Sequence, residues 1–251
     1  MALFEAHHLS KRFGDRIVLE DISLKFEAGK LSGIMGPNGA GKSTCFNVLT
    51  GQFPPDRGRI VFDGEDITGQ SPRQIARKGI ARSFQIVSLF DEFTALENVL
   101  LALPEVRARG FHMLRDVAGD PAVVAKALSV LGRVGLEPSA NRRSSSLPYG
   151  ERRSLEIAVA LAAEPRVLFL DEPTQGMGAD GRLRLRELIG ELKRHFTIVM
   201  IEHDMDLLFS LADQISVIHW GQVIAQGAPS ELPADAWGRR SLSAEKRDAR
   251  G

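Results

Sequence analysis

The chain has 251 residues, of which 43% are hydrophobic and 25% charged, enough for one domain, with or without a smaller lobe, around a buried core. Lys and Arg together number 32, as do Asp and Glu, and the resulting formal net charge of zero excludes a general basic field for nucleic acid or anionic lipid. The single cysteine, Cys45, excludes an internal disulfide and a cysteine-based metal cluster.

The N-terminal residues do not predict a signal peptide, and the apolar runs do not predict a membrane anchor. The short apolar start is interrupted by Glu5 and two histidines, and no run approaches the about 18 apolar residues of a membrane span. We therefore expect a cytosolic or peripheral protein. Basic pairs such as Arg142–Arg143 and Arg152–Arg153 are expected at solvated helix ends.

The N-terminal part predicts short strands followed by the beginning of a parallel α/β core. Mixed apolar and polar segments predict strands at Phe4–Leu9, Ile17–Phe26 and Arg59–Asp63. Between the last two of these lies a different pattern: the apolar strand Leu31–Met35, a glycine-rich loop, and a helix over about Lys42–Leu49. That strand–loop–helix order is typical of a parallel α/β core.

The middle of the chain predicts helices. From about Phe93 to Ala163 the pattern is helical, with Asp120 and Pro121 as the N-cap and first-turn residues of one helix. Apolar residues at helical spacing follow this start, at Val124, Leu128, Leu131 and Val134.

The C-terminal part predicts two buried strands, a surface helix and a hairpin. The strands are Val167–Leu170 and Thr197–Ile201, apolar throughout as in a sheet covered on both faces. The helix between them has its apolar stripe at Leu185, Leu188, Ile189 and Leu192. The hairpin joins Ile215–His219 to Val223–Gln226 through Gly221. After Pro233 the residues are small or charged, which predicts a disordered tail.

A phosphate-binding motif occupies the glycine-rich loop. The sequence Gly36-Pro37-Asn38-Gly39-Ala40-Gly41-Lys42-Ser43-Thr44 matches G-x-x-x-x-G-K-[ST] between a predicted strand and a predicted helix. Glycines allow backbone N–H groups to turn toward phosphate oxygens, and the helix N-terminus adds positive charge. Lys42 is expected on the β- and γ-phosphates and Ser43 on Mg²⁺. The alternative is a glycine-rich turn that caps an ordinary helix.

Two carboxylates stand at the end of a predicted strand. Asp171 and Glu172 directly follow the apolar segment Val167–Leu170, and ligands of open α/β sheets bind at the carboxyl ends of strands. Asp171 is placed to hold Mg²⁺, and Glu172 is the candidate to polarise an attacking water. The alternative is a pair of carboxylates that are merely solvated.

With these motifs and four further segments, the chain from about residue 3 to residue 232 resembles the ATP-binding cassette (ABC) family. Gln85 after Phe84 is similar to the family's glutamine loop, His203 to its switch histidine, and Phe13 to the aromatic residue that stacks on adenine. The fourth segment resembles the signature motif LSGGQ and comprises Leu147, Pro148, Tyr149, Gly150 and Glu151.

The resemblance implies a fold, cofactors and partners. The expected fold is α/β: a P-loop NTPase (RecA-like) core with an N-terminal antiparallel β-subdomain and an α-helical subdomain. The ATP-binding domain would span 1–233, with the helical sub-lobe over about 90–155 and a disordered tail over 234–251. ATP and Mg²⁺ are the implied cofactors, with Gln85, Glu172 and His203 as catalytic residues and Gln85 as a further Mg²⁺ contact. A second ATPase subunit, identical or a sister chain, would pack head-to-tail with two ATP molecules between the chains.

Two positions depart from the family pattern. Pro148 stands where the signature usually has a serine, and proline offers neither a hydroxyl nor an N–H group. After Glu172 and Pro173 the family reads SALD, whereas Gly178 replaces the interfacial aspartate here. We expect ATP hydrolysis to survive both changes, with recognition at the signature resting on backbone groups near Gly150.

Finer features resemble the ATPases of branched-chain amino acid importers (LivG type), some of whose relatives import urea, amides or aromatic acids. The features are Phe84–Phe90, Thr94–Val99, Ser154–Ala158, Ile201–Met205 and an insertion around Arg107–Gly119. The implied partners are transmembrane permease subunits and, indirectly, a periplasmic or extracellular solute-binding protein, with no nucleic acid. The implied location is peripheral, on the cytoplasmic face of the inner membrane.

Alternatives remain open at this point. A lipopolysaccharide-export ATPase shares a Gly-Glu-Arg-Arg run with this chain, and non-transport cassettes act in translation or DNA repair. A GTPase is disfavoured because no N-K-x-D motif follows the core strands. The apolar residues near the glutamine loop would contact the membrane subunit or belong to the core of the lobe: Val87, Leu89, Phe90 and Phe93.

Overall fold

The computed structural model describes residues 2–83, 89–109 and 120–232. The strands are β1 (Ala2–Phe13), β2 (Arg16–Glu27), β3 (Leu31–Met35), β4 (Arg57–Phe62), β5 (Glu65–Asp66), β6 (Ile80–Ser83), β7 (Val167–Asp171), β8 (Thr197–Ile201), β9 (Gln214–His219) and β10 (Gln222–Gly227). The helices are α1 (Lys42–Leu49), α2 (Pro72–Arg77), α3 (Ala95–Ala102), α4 (Pro104–Arg109), α5 (Pro121–Arg133), α6 (Tyr149–Ala162), α7 (Ala179–Leu192) and α8 (Met205–Leu211). No helix in these ranges is long and apolar enough to cross a bilayer.

The chain divides into two compact units. One is formed by the part up to Ile75 together with the part from Thr197 onward, and the other by Ala76–Phe196. The first unit contains the glycine-rich loop and His203, and the second contains Asp171, Glu172 and the signature-like segment.

An antiparallel sheet of order β2-β1-β4-β5 forms one layer of the first unit. Phe4 pairs with Phe26 on β2 and with Phe62 on β4, and the three rings pack together at centroid distances of 5.9 and 6.0 Å from Phe4. β1 extends well beyond the predicted Phe4–Leu9 because irregular pairing around His8, whose φ is 53°, carries the strand past the polar residues. The predicted N-terminal antiparallel β-subdomain is confirmed.

The second layer of the first unit is a parallel core. β3 lies between β8 and β9 and is parallel to both, and β10 pairs antiparallel with β9. Every residue of β3 and β8 is buried, which explains why both strands were recognisable as short apolar runs with the observed bounds. The predicted hairpin at Gly221 is confirmed as β9 and β10.

The second unit combines a parallel strand pair with helices. β6 and β7 pair in parallel from Ile80 opposite Val167 to Ser83 opposite Leu170. Helices α3, α5 and α6 pack against one another, which confirms the helical middle of the chain. The predicted apolar face of α5 is confirmed at Leu131 and, just after the helix, at Val134, which are both buried. Val124 and Leu128 are only half-buried, because Val123, Ala127 and Val130 supply the buried positions in the first turns of α5.

Candidate nucleotide site

The glycine-rich loop between β3 and α1 is closely packed at its two ends. A Cβ on Gly36 would lie 2.1 Å from the carbonyl oxygen of Ile218, far inside any real contact. Gly41 has φ 102°, and a Cβ there would lie 2.8 Å from the carbonyl oxygen of Val18. Glycine is therefore required at both ends, by backbone atoms of β9 and β2.

A backbone bridge fixes the loop against the hairpin turn. The N–H of Gly221 donates to the carbonyl oxygen of Ala40 at 2.9 Å, and the carbonyl oxygen of Gly221 accepts from the N–H of Glu20 at 2.8 Å. The outer turn is open, because Asn38 and Gly39 are exposed and a Cβ on Gly39 would meet nothing within 4 Å. The loop is thus a preformed concave support with one face toward solvent.

Lys42 places a buried positive charge under this loop. The residue is 5% exposed, and its Nζ donates to the carbonyl oxygens of Gly36 at 2.8 Å and Pro37 at 2.9 Å. Gly41 offers no side-chain cap to the first N–H groups of α1, which leaves the helix start suited to an anion. Ser43 is exposed and Thr44 half-buried at the same helix start. The loop as a whole fits a polyphosphate.

Phe13 ends β1 with an accessible ring in the same unit. The side chain is 45% exposed and meets Phe53 edge-on at a centroid distance of 5.4 Å. Lys11 Nζ lies 5.6 Å from the centroid of the Phe13 ring. An exposed aromatic face held by its neighbours is suited to stacking on a planar base, and the stacking role of Phe13 remains a prediction.

Asp171 is engaged by a partner that the sequence reasoning missed. Arg82 on β6 donates from Nη2 to Asp171 Oδ2 at 2.6 Å, and the two side chains are 1% and 11% exposed. An arginine inside an otherwise apolar strand is the signal that could have revealed it, because a buried charge requires a partner. Carboxylate and hydroxyl oxygens of the type supplied by Asp171 and Ser43 are ligands that Mg²⁺ accepts.

Glu172 occupies an unfavourable backbone conformation directly after β7. Its φ is 45°, in the left-handed region that non-glycine residues seldom adopt. The turn that follows is closed by the N–H of Gln175, which donates to the Glu172 carbonyl oxygen at 3.1 Å. Such strain persists where the surroundings hold it and is enriched at functional sites, so the backbone of Glu172 is held at the strand end by a defined turn.

His203 follows β8 and is exposed at the start of a short loop. The preceding Glu202 is only 3% exposed, and its Oε2 accepts from the N–H groups of His203 at 2.8 Å and Asp204 at 3.1 Å. Asp204 in turn caps α8 by accepting from the N–H of Leu207 at 3.0 Å. Glu202 is a second residue that the sequence reasoning missed, although a charge directly after an apolar strand could have indicated it.

The signature-like segment begins α6. Leu147 is buried, Pro148 is the N-cap without a side-chain hydrogen bond, and Tyr149 is 50% exposed. Gly150 is half-buried, and a Cβ added there would meet nothing within 4 Å. Glu151 accepts from the hydroxyl of its neighbour Ser139 at 3.0 Å. The first N–H groups of α6 therefore lie at the surface without a capping side chain, as the proline at the serine position implies.

The pair Arg152 and Arg153 is not simply solvated, contrary to the expectation. Arg152 pairs with Asp91 at 2.7 Å, and Arg153, whose side chain is 15% exposed, pairs with Glu156 at 3.1 Å. Arg152 thus has its partner in the loop before α3, and Arg153 has its partner one turn further along α6. Gln85, which the resemblance assigned to catalysis and to Mg²⁺, lies outside the described residues, as does Val87.

Cys45 provides a test of whether α1 forms part of a nucleotide-stabilised core. Burial raises the pKa of its thiol to about 12, because the fully enclosed side chain disfavours the thiolate. We expect negligible labelling by a thiol reagent at pH 8 in the native state, full labelling in urea, and slower labelling in partial denaturant when ADP is added, because a ligand of the folded state suppresses unfolding. Rapid labelling of the native protein at pH 8 would contradict this.

Comparisons with known proteins agree with this arrangement. A family model described as "ABC transporter" matches residues 19–175. The "High-affinity branched-chain amino acid transport ATP-binding protein LivG" of Salmonella typhimurium is 38% identical over 237 residues, which cover 92% of this chain and 93% of that protein.

Two solved structures extend the comparison to the fold. A crystallised ATP-binding cassette of an ABC transporter in its ADP conformation has a TM-score of 0.79 and 31% identity, with 91% of both chains covered. A dimeric cassette in a post-hydrolysis state, bound to ADP and Pi, has a TM-score of 0.75 and 25% identity, with 91% of this chain and 100% of that chain covered.

Proposed function

The chain belongs to the ABC transporter family, and we propose that it is the ATP-hydrolysing subunit of an importer for branched-chain amino acids or a related small solute. The single observation that supports this most strongly is the preformed phosphate loop, in which Lys42 is buried against the Gly36 and Pro37 carbonyl oxygens at the start of α1. The similarity to LivG over 92% of the chain supports the choice of cargo.

Binding of the phosphates and the base would use residues of the first unit. The N–H groups from Gly36 to Thr44 and the Lys42 ammonium would bind the phosphates, and Phe13 would stack on the adenine. Ser43 and Asp171 would hold Mg²⁺, with Gln85 as a further contact. When bound, the cation neutralises charge on the phosphate oxygens.

Hydrolysis would use Glu172. Its carboxylate accepts a proton from water as the water oxygen bonds to the γ-phosphorus and the bond from that phosphorus to the bridging oxygen of ADP breaks, so that ATP and water give ADP and phosphate. His203, whose loop is fixed by Glu202, would hold the γ-phosphate side of the nucleotide. The strained backbone at Glu172 supports this assignment because such strain is enriched at functional sites.

A second cassette would complete the site. The segment from Leu147 to Glu151, which begins α6 and exposes Pro148 and Tyr149, is suited to donate N–H groups to the γ-phosphate of a nucleotide bound by the partner chain. Pro148 removes the usual hydroxyl, so backbone groups near Gly150 would carry this contact. The dimeric structure of the related post-hydrolysis cassette supports pairing with a second cassette. We expect that cassette, an identical or a sister chain, to pack head-to-tail.

The surface before α3 is suited to bind a membrane subunit. Asn98 is 3% exposed and accepts from the Phe90 N–H at 2.8 Å while donating to the Thr94 carbonyl oxygen at 2.9 Å. Asn98 thus holds the backbone of this loop at both ends, while the Phe90 side chain is 49% exposed, with its ring 5.3 Å from that of Phe93. An exposed aromatic side chain on a hydrogen-bonded loop is the kind of anchor that protein interfaces use.

The proposed arrangement places the chain on the cytoplasmic face of the inner membrane, bound to permease subunits that receive solute from a binding protein. An affinity-tagged chain recovered from solubilised membranes should retain permease subunits of an importer. Recovery of lipopolysaccharide-export subunits, or of ribosomes or DNA-repair proteins, would contradict the proposal.

Charge reversal at Glu92 tests the docking surface. Its side chain is 80% exposed and pairs with the exposed Arg143 at 3.2 Å, so Glu92→Lys should leave the fold intact. We expect permease recovery to fall roughly tenfold, the effect of about 1.4 kcal/mol in binding free energy. Glu191→Lys, at another exposed pair, is the matched control and should retain full recovery. Equal recovery with both variants would show that the loop before α3 is not the docking surface.

A further inference from the structure

The hydroxyl of Tyr149 connects the start of α6 to the turn that follows Glu172. Tyr149 Oη donates to the carbonyl oxygen of Gln175 at 2.9 Å, across a separation of 26 residues. The Gln175 N–H donates to the Glu172 carbonyl oxygen at 3.1 Å. Two consecutive hydrogen bonds therefore lead from the tyrosine hydroxyl to the backbone of the residue proposed to polarise water.

The turn is shaped to receive the tyrosine ring. Gly176 has φ 77°, and a Cβ on it would lie 3.1 Å from Tyr149 Oη and 3.4 Å from Tyr149 Cζ. A side chain at this position would thus be strained and would also displace the ring. Glu172, at the other end of the turn, has φ 45°, so the turn has one residue in the left-handed region at each end.

Arg153 also contacts the tyrosine ring. Its guanidinium carbon lies 5.4 Å from the centroid of the Tyr149 ring, and Nη1 pairs with Glu156 at 3.1 Å. The ring is therefore held in place although Tyr149 is 50% exposed. An exposed tyrosine could direct its hydroxyl to water, so its direction toward Gln175 reflects this local support.

We propose that Tyr149 is a positioning residue for Glu172, whose hydroxyl fixes the turn through the Gln175 carbonyl oxygen and thereby keeps the Glu172 carboxylate directed at the attacking water. The proposal rests on the proposed function, because it assigns Tyr149 an effect on hydrolysis. Without the hydroxyl, the turn is free to relax and Glu172 to leave its strained φ. We expect nucleotide affinity to change little, since the loss of the hydroxyl removes only the bond to Gln175 and keeps the backbone groups of α6.

The kinetic test removes only the hydroxyl. Tyr149→Phe should lower kcat about ten- to a hundredfold, the effect of a small misplacement of a catalytic group, while KM for ATP changes less than about twofold. Gly176→Ala should reproduce this split by displacing the ring. Gly181→Ala, in which the new Cβ meets only the Met177 side chain at 3.4 Å or more, is the control and should keep the wild-type kcat.

A spectroscopic readout separates positioning from general loss of structure. Tyr149 is the only tyrosine in the chain, so protein grown with 3-fluorotyrosine gives one ¹⁹F resonance from this site. The resonance should shift in Gly176→Ala and stay in place in Gly181→Ala, with both variants showing the thermal unfolding of a folded protein.

Failure of the role of Tyr149 can be distinguished from failure of the proposed function. If the wild type hydrolyses ATP and Tyr149→Phe retains kcat within about twofold, or if Gly176→Ala leaves the resonance unmoved, the positioning role is wrong while the proposed function stands. If the wild type hydrolyses no more ATP than Glu172→Gln, the proposed function itself is wrong, and the role of Tyr149 with it.

Discussion

Replacement of Glu172 by Gln is expected to reduce kcat for ATP hydrolysis by about 10²–10⁴, the usual contribution of a positioned general base. Glutamine keeps the size of the side chain and its ability to bond to water, but it takes no proton. The turn closed by Gln175 involves only the Glu172 backbone, so the strand end should keep its shape. The measurement is phosphate release by purified protein with Mg²⁺ and ATP.

ATP binding should survive this change. Because the phosphate loop surrounds Lys42 in the other unit, the affinity of Glu172→Gln for ATP should stay within about threefold of wild type, and the variant should accumulate as an ATP-bound dimer on size-exclusion chromatography. Glu191→Gln, at an exposed surface pair, is the control and should hydrolyse ATP normally. Hydrolysis by Glu172→Gln within tenfold of the wild type would contradict the assignment.

Replacement of Arg82 by Met should destabilise the protein by about 3–5 kcal/mol, the effect of removing one partner of a buried ion pair. Asp171, whose side chain is 11% exposed, would then be a nearly buried carboxylate that has lost its arginine partner. Methionine approximately fills the space of the arginine stem, so the loss of charge dominates over the loss of packing. The measurement is the midpoint of urea unfolding, compared with Arg194→Met at the exposed pair with Glu191, where about 0–1 kcal/mol is expected.

A double variant keeps this prediction testable if Arg82→Met folds poorly. Adding Asp171→Asn removes the stranded charge, so the double variant should be more stable, or more soluble on expression, than Arg82→Met alone. A single variant no less stable than Arg194→Met, or a double variant less stable than both single variants, would show that the pair is not an interdependent buried unit.

The parts of the fold that could be predicted from the sequence were those whose local signals agree with their tertiary setting. β3 and β8 are buried on both faces, so each appears in the sequence as a short apolar segment of five residues with the observed bounds. The phosphate loop could be predicted because its motif places glycine at Gly36 and Gly41, where backbone atoms leave no room for a Cβ.

The parts that could not be predicted depend on long-range pairing. β6 contains Arg82 and Ser83, and these polar residues hide the apolar pattern by which a buried strand is recognised. The strand is evident only from its pairing with β7 and from the contact of Arg82 with Asp171. The start of α7 was predicted too late, near Leu185, because its first turn, from Ala179 to Arg182, has no apolar stripe. The hydrogen bond from Tyr149 to Gln175 joins residues far apart in sequence, so no local pattern reveals it.

The proposed function requires that ATP hydrolysis at Glu172 power solute entry through separate membrane subunits. The most direct measurement is the initial rate of labelled leucine uptake by cells that lack their own copy of the chain and express either the wild type or Glu172→Gln at equal abundance. We predict uptake with the wild type and none above background with Glu172→Gln. Equal uptake in the two strains, with the variant confirmed to be inactive as an ATPase, would contradict the claim.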